Sequence, residues 1–161
     1  MDFNKLKLVN TSFTSKNKFS FIFNDKFKIK DLAIVSEIHI NESGYQKSSS
    51  LNDYFPKAND TILIKDHHIQ TKYQKDNFTI EGNGKIKLEN NFDEIKYKIG
   101  IKEKDFTLIS NIKLSELRLK KQEFLKPFFP KLKEMIDLKN QQIEINYNRN
   151  DLFIKGTGKI K

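Results

Sequence analysis

His67 and His68 stand side by side after Asp66, and imidazole and carboxylate groups are both metal ligands. On a strand, however, neighbouring side chains leave on opposite faces, so the two rings cannot close on one ion. His39 reads as a surface position. Gly82-x-Gly84 and Gly156-x-Gly158 suggest a phosphate loop, whose glycines must follow a strand and open a helix. Here a third glycine is missing, and Lys85-Ile86-Lys87-Leu88 continues as strand. The two glycines fall in phase with Phe78, Ile80 and Ile86, so a bend, bulge or close-packing site is expected, with a hairpin at 81–84 as the other structural option. Acids recur at Asp31 and Asp105 and at Glu42 and Glu116, in positions that read as strand ends or turns. No nucleophile triad or metal-protease spacing accompanies them. The expectation is therefore no catalytic residue, no metal, no cofactor and no enzyme.

Charge is the next candidate. Thirty basic residues against 21 acidic ones give a formal charge of +9, yet only Arg118 and Arg149 are arginine. Arginine reads phosphates and base edges because its planar fork binds bidentately. A lysine excess beside abundant Ile and Asn is compositional, and no nucleic-acid partner is expected. From Leu117 to Lys133, lysines stand among Phe124, Phe128 and Phe129. Such an element could lie on an anionic membrane surface. Its plainer reading is a helix that packs Phe and Leu over a sheet while its lysines stay wet. With 0 Cys, disulfides and thiolate sites are excluded. No apolar run reaches the eighteen or so residues of a membrane span. The opening residues lack the apolar core of a signal peptide.

The elements behind these residues are written twice. A shift of 74 places residues 30–87 on 104–161 without a gap, with 20 identities in 58 positions. Roughly five would arise by chance in so biased a composition. Tyr54-Phe55-Pro56-Lys57 falls on Phe128-Phe129-Pro130-Lys131, Tyr73 on Tyr147, and the glycine pair on the glycine pair. Lys5-Leu6-Lys7-Leu8 resembles Lys85-Ile86-Lys87-Leu88, so the chain reads as a segment of an array. Residues 1–29 would be the tail of a preceding unit plus first strands, 30–103 the first repeat, and 104–161 a truncated second, together one continuous domain.

Within each unit the hydrophobic period is two, as in antiparallel sheets with one dry and one wet face. Nine strands are predicted, near 3–9, 18–29, 32–40, 67–74, 77–88, 92–102, 104–114, 141–148 and 151–160. One short helix per repeat interrupts them. The first covers 48–55, with serine caps and a stop at Pro56; the second covers 115–125, stopped by Pro127.

Phe-Pro, then Ile-x-Leu/Ile-Lys, then Tyr followed by Ile-x-Gly-x-Gly-Lys-Ile, resembles the repeat grammar of AsmA-like proteins of Gram-negative bacteria. The residues are Tyr54-Phe55-Pro56, Ile62-Leu63-Ile64-Lys65 and Tyr73 to Ile86, with second copies at Phe128-Phe129-Pro130, Ile136-Asp137-Leu138-Lys139 and Tyr147 to Ile160. The resemblance implies a bridge-like lipid-transfer protein, held in the inner membrane by sequence absent here and extending through the periplasm. It further implies a sheet curled into a groove, or a half-closed sandwich, along which phospholipid acyl chains pass toward the outer membrane. Further repeats of the same chain would follow at both ends.

On this reading Phe78, Ile80, Ile95, Tyr97, Ile99, Ile101, Phe106, Leu108, Ile112 and Leu114 line the lipid-contacting face, opposite Lys85, Lys96, Lys98, Lys102 and Lys113. The rival reading is a structural or adhesive β-repeat scaffold whose apolar face is closed as ordinary core. Periodicity cannot separate the two, because both demand the same alternation.

Overall fold

The computed structural model describes residues 8–103, 105–123, 126–128, 130–131, 133–149 and 151–160. Eight strands form one antiparallel sheet in sequence order: β1 (Leu8–Phe23), β2 (Ile29–Gln46), β3 (Thr61–Gln74), β4 (Asn77–Lys87), β5 (Phe92–Lys102), β6 (Asp105–Lys120), β7 (Met135–Asn148) and β8 (Asp151–Ile160). Each strand pairs only with its neighbours in the chain, and the sheet does not close, because β1 and β8 never meet. Among the described residues the one α-helix is α1 (Ser49–Asn52), a single turn.

Tight turns explain the meander. Lys75 and Asp76 both take positive φ, 47° and 63°, between the paired residues Gln74 and Asn77. That is the two-residue turn whose twist matches the strands it joins. Between β1 and β2, the Asn24 side chain accepts the backbone N–H groups of Lys26 and Lys28 at 3.0 and 2.8 Å. An asparagine that satisfies two loop amides in this way halts the strand.

Several expectations need correction here. The strands expected at 3–9 and 18–29 are one long β1, which ends at Phe23; residues 3–7 lie outside the described residues. The sheet has eight strands among the described residues instead of nine, and it is one layer, so no sandwich forms. Residues 81–84 run straight through β4, without a hairpin.

The helix expected at 115–125 is replaced through Lys120 by strand, while Phe124 and Leu125 lie outside the described residues. Helix propensity lost to pairing: Leu117 lies opposite Leu138 and Leu119 opposite Ile136, which buries Leu117 to 3% exposure. Phe128 is 76% exposed, so it does not pack over the sheet. Glu42 and Glu116 lie inside β2 and β6, away from the turns.

The buried apolar residues gather at one end of the sheet: Ala58, Ile62, Leu114, Leu117 and Ile136. There the 47–60 connection folds across its neighbours. Asn59 N–H donates to the Leu88 carbonyl at 2.7 Å, and Lys120 N–H donates to the Tyr54 carbonyl at 3.0 Å. Beneath it the Glu89 carboxylate accepts the Arg118 backbone N–H at 2.8 Å, its Nε at 3.0 Å and its Nη2 at 2.8 Å. That fork ties the β4–β5 turn to β6 and satisfies a carboxylate that is otherwise shut away from water. It also holds the Arg118 pKa above its ordinary value, by hydrogen bonding first and by charge second.

Four strands carry a left-handed residue where pairing slips by one. Asn10, Asp31, Asp66 and Asn140 have φ near 50°, each beside a register shift. A bulge puts two successive residues against one partner and so reverses the alternation. Without it, Ile64 and Leu138 would point into water. With it, they join Ile86 and Leu117 on the dry side of the buried end.

Candidate functional site

Register assembles one face from every strand. Phe19, Ile34, Tyr73, Phe78, Ile101 and Phe106 form one cross-strand row from β1 to β6. The next row is polar on β1 to β3, at Asn17, Ser36 and Thr71, and apolar from β4 onward, through Ile80, Ile99, Leu108, Tyr147 and Leu152. A third runs through Ile38, Ile69, Gly82, Tyr97, Ser110, Ile145 and Ile154, and a fourth through Phe13, Ile40, His67, Gly84, Ile95, Ile112 and Ile143, where a register shift sets His67 against Gly84. Because cross-strand partners share a face, these rows stack into one apolar surface, uncovered away from the buried end.

All ten residues singled out from the sequence lie on this surface. Nine belong to its open part. Leu114 is 5% exposed at the buried end, where the fold and not a ligand surrounds it. The sequence reading placed strands at the outer edges but left their side chains out of the lining. Phe13, Phe19, Phe21 and Phe23 on β1, and Leu152 and Ile154 on β8, continue the surface and are more open than its middle. Phe19 stacks on Phe21 and Phe21 meets Phe23 edge-on, so all three share one side. The signal that could have found the β8 residues was the shift of 74, which sends Phe78 to Leu152 and Ile80 to Ile154.

The opposite face is wet. Cross-strand ion pairs run along it: Lys85–Asp66 at 3.3 Å, Lys98–Glu81 at 2.8 Å and Lys113–Glu94 at 2.7 Å. The lysine partners hold the Glu81 and Glu94 carboxyls below their ordinary pKa, by hydrogen bonding first and by charge second. His68 belongs to this side and meets His39, Nδ1 to Nδ1, at 3.2 Å. Apolar side chains interrupt this face at Ile22, Val35 and Phe153 and at Ile109, which is 48% exposed between Lys98 and Asn146.

Polar side chains on the dry face gather on β1 to β3, at Ser15, Asn17, Ser36 and Thr71, and beside Tyr97, where the buried His67 Nδ1 has no hydrogen-bond partner. His67 Nε2 lies 3.1 Å from the Tyr97 hydroxyl. Burial, and secondarily the charge of His68, push the His67 pKa down, while burial pushes Tyr97 up. Both groups are therefore neutral at pH 7. The Ser110 hydroxyl donates to the Lys96 carbonyl at 3.2 Å. Glycines make room for the larger rings: a Cβ on Gly82 would overlap the Tyr97 ring, and one on Gly84 would overlap the His67 ring. The glycine pair is thus a packing niche inside a strand.

Among the described residues no group of three metal-ligating side chains gathers, and no helix is long and apolar enough to cross a membrane. The arrangement offers a broad apolar surface with neutral polar groups set into it, suited to contact with hydrocarbon. Neither the family models, nor the curated proteins, nor the solved structures contain a significant match to this chain.

Proposed function

We propose that this chain is a segment of a periplasmic lipid-transfer protein of the AsmA-like, bridge-like kind, holding phospholipid acyl chains against its apolar face between inner and outer membrane. The observation that carries this reading is the uncovered apolar surface that crosses all eight strands. An ordinary core would be covered by a second layer, and exposed apolar patches of this extent mark a ligand, a membrane or a partner. Seven strand-to-strand steps of about 4.8 Å carry the surface on the order of 35 Å. That is comparable to the hydrocarbon thickness of a bilayer, about 30 Å. Each acyl methylene buried on it contributes roughly 0.8 kcal/mol, so chains bind without a dedicated polar ligand. No catalytic step is involved.

The same reading takes the sheet as two copies of a unit of about 74 residues. Matched details support it. The bulges at Asp66 and Asn140 are 74 positions apart, with φ of 49° and 50°. The ion pairs Lys75–Asp31 and Arg149–Asp105 correspond, as do Gly84 under His67 and Gly158 under Gln141.

The test is to purify the chain, extract it and look for phospholipid by mass spectrometry, in parallel with Ile99→Asp. A carboxylate in the middle of the surface is costly to desolvate under hydrocarbon. Bound phospholipid that is lost in the variant, with the melting curve retained, is the expected result. Absence of lipid in the native chain, with a collapsed melting curve in Ile99→Asp, would return the face to the role of a scaffold core.

A further inference from the structure

The two outer strands of the sheet are not alike, and their difference is complementary. Gly82 on β4 is covered by Tyr97, which the next strand supplies. Gly156 on β8 sits at the corresponding place, and a Cβ there would meet nothing within 4 Å. The space over Gly156 is open in the single copy. At the other edge, β1 displays Phe19, Phe21 and Phe23 along one side, with Phe19 70% exposed. Among the described residues nothing pairs with the outer edge of either strand.

We infer that β8 takes β1 of a second copy of this chain, head to tail, with Phe19 of the incoming copy seated over Gly156. Strand parity permits it. With eight antiparallel strands β8 runs opposite to β1, so a translated copy presents its β1 antiparallel to β8 and the meander continues.

Side-chain matching selects the register. With Phe19 opposite Gly156, Phe21 falls opposite Ile154 and Phe23 opposite Leu152 on the dry face. On the wet face Ile22 falls opposite Phe153, so two apolar side chains exposed by about the same amount cover each other. Placing Phe13 over Gly156 instead would set Ser15 and Asn17 against Ile154 and Leu152, which loses those contacts. The cost of the favoured register is one like-charged pair, Lys16 against Lys159, near the end of the ladder. Such a contact is heterologous and does not close, so it produces a ladder of lengths instead of a single dimer.

This inference does not depend on the lipid reading, since strand pairing alone drives it. The test is sedimentation equilibrium of the whole 161-residue chain beside Gly156→Leu. Leucine has free space at that position in the single copy but collides with the incoming ring. Expected are concentration-dependent species beyond the dimer in the native chain, and association weakened at least about tenfold in the variant, with an unchanged melting temperature.

Because the chain has no cysteine, engineered pairs report register directly. Phe21→Cys with Ile154→Cys, oxidised gently, should give a ladder of covalent oligomers, and Phe13→Cys with Ile154→Cys should not. The inference is overturned by a monomer at every concentration, by association of Gly156→Leu equal to the native chain, or by equal cross-linking of both pairs. Should Gly156→Leu fail to fold, the cross-linking pairs alone decide.

Discussion

The ring of Tyr97 lies where a side chain on residue 82 would have to be, so the glycine is required by its neighbour on the next strand and not by its own backbone. Gly82→Ala should therefore force the ring aside and destabilise the sheet by roughly 1–3 kcal/mol, the usual cost of overpacking. Gly156→Ala, with open space around it, should stay within about 0.5 kcal/mol of the native chain. Urea denaturation of the two variants checks the contrast.

His67 supplies the pH dependence. Burial lowers its pKa in the folded state, so protonation favours the unfolded chain. Stability should be fully present above the ordinary histidine pKa of about 6.5 and fall as pH drops from there toward the lower folded value. His67→Gln, which installs the residue found at the matching position 141, should flatten melting temperature against pH in that window. A variant that keeps the same acid sensitivity would assign it elsewhere.

Glu89 and the wet-face acids should behave differently although all are ion-paired. Glu89 is enclosed and accepts a backbone amide as well as the guanidinium, so Glu89→Ala leaves the Arg118 N–H without its acceptor. A melting temperature lower by at least about 5 °C is expected. Glu81→Ala and Glu94→Ala remove solvated pairs and should change it by no more than about 2 °C. Thermal melts of the three variants make the comparison.

Ile109 is a control for the lipid-binding proposal. It stands on the wet face, so Ile109→Lys should leave phospholipid uptake within about twofold of the native chain, a change worth about 0.4 kcal/mol. Ile99→Lys, on the dry face, should abolish uptake. Equal loss in both would point to general charge and not to the surface.

Much of the fold was legible because alternation is a local property. Ile95, Tyr97, Ile99 and Ile101 alternate with lysines and glycine, and β5 forms within the bounds that this pattern marks. The same alternation placed all ten proposed lining residues on one face. The segment after Leu114 was misread because Glu, Leu, Arg and Lys favour helix in isolation. Pairing with Met135–Asn148, distant in sequence, overrode that preference. The bulges were equally hidden, since a slip of one residue at Asp66 shows only when its partner strand is present.

What the sequence determined by itself is the two-faced strand: hydrophobic period, turn residues and charge sidedness all lie within a few residues of each other. What only the tertiary structure decided is the fate of the dry face. Leu114 and Ile99 belong to the same alternating face, yet the first is sealed beneath the folded end and the second remains on the open surface. Contacts between residues far apart in the chain, such as Lys120 N–H to the Tyr54 carbonyl, build that end and leave no trace in local periodicity.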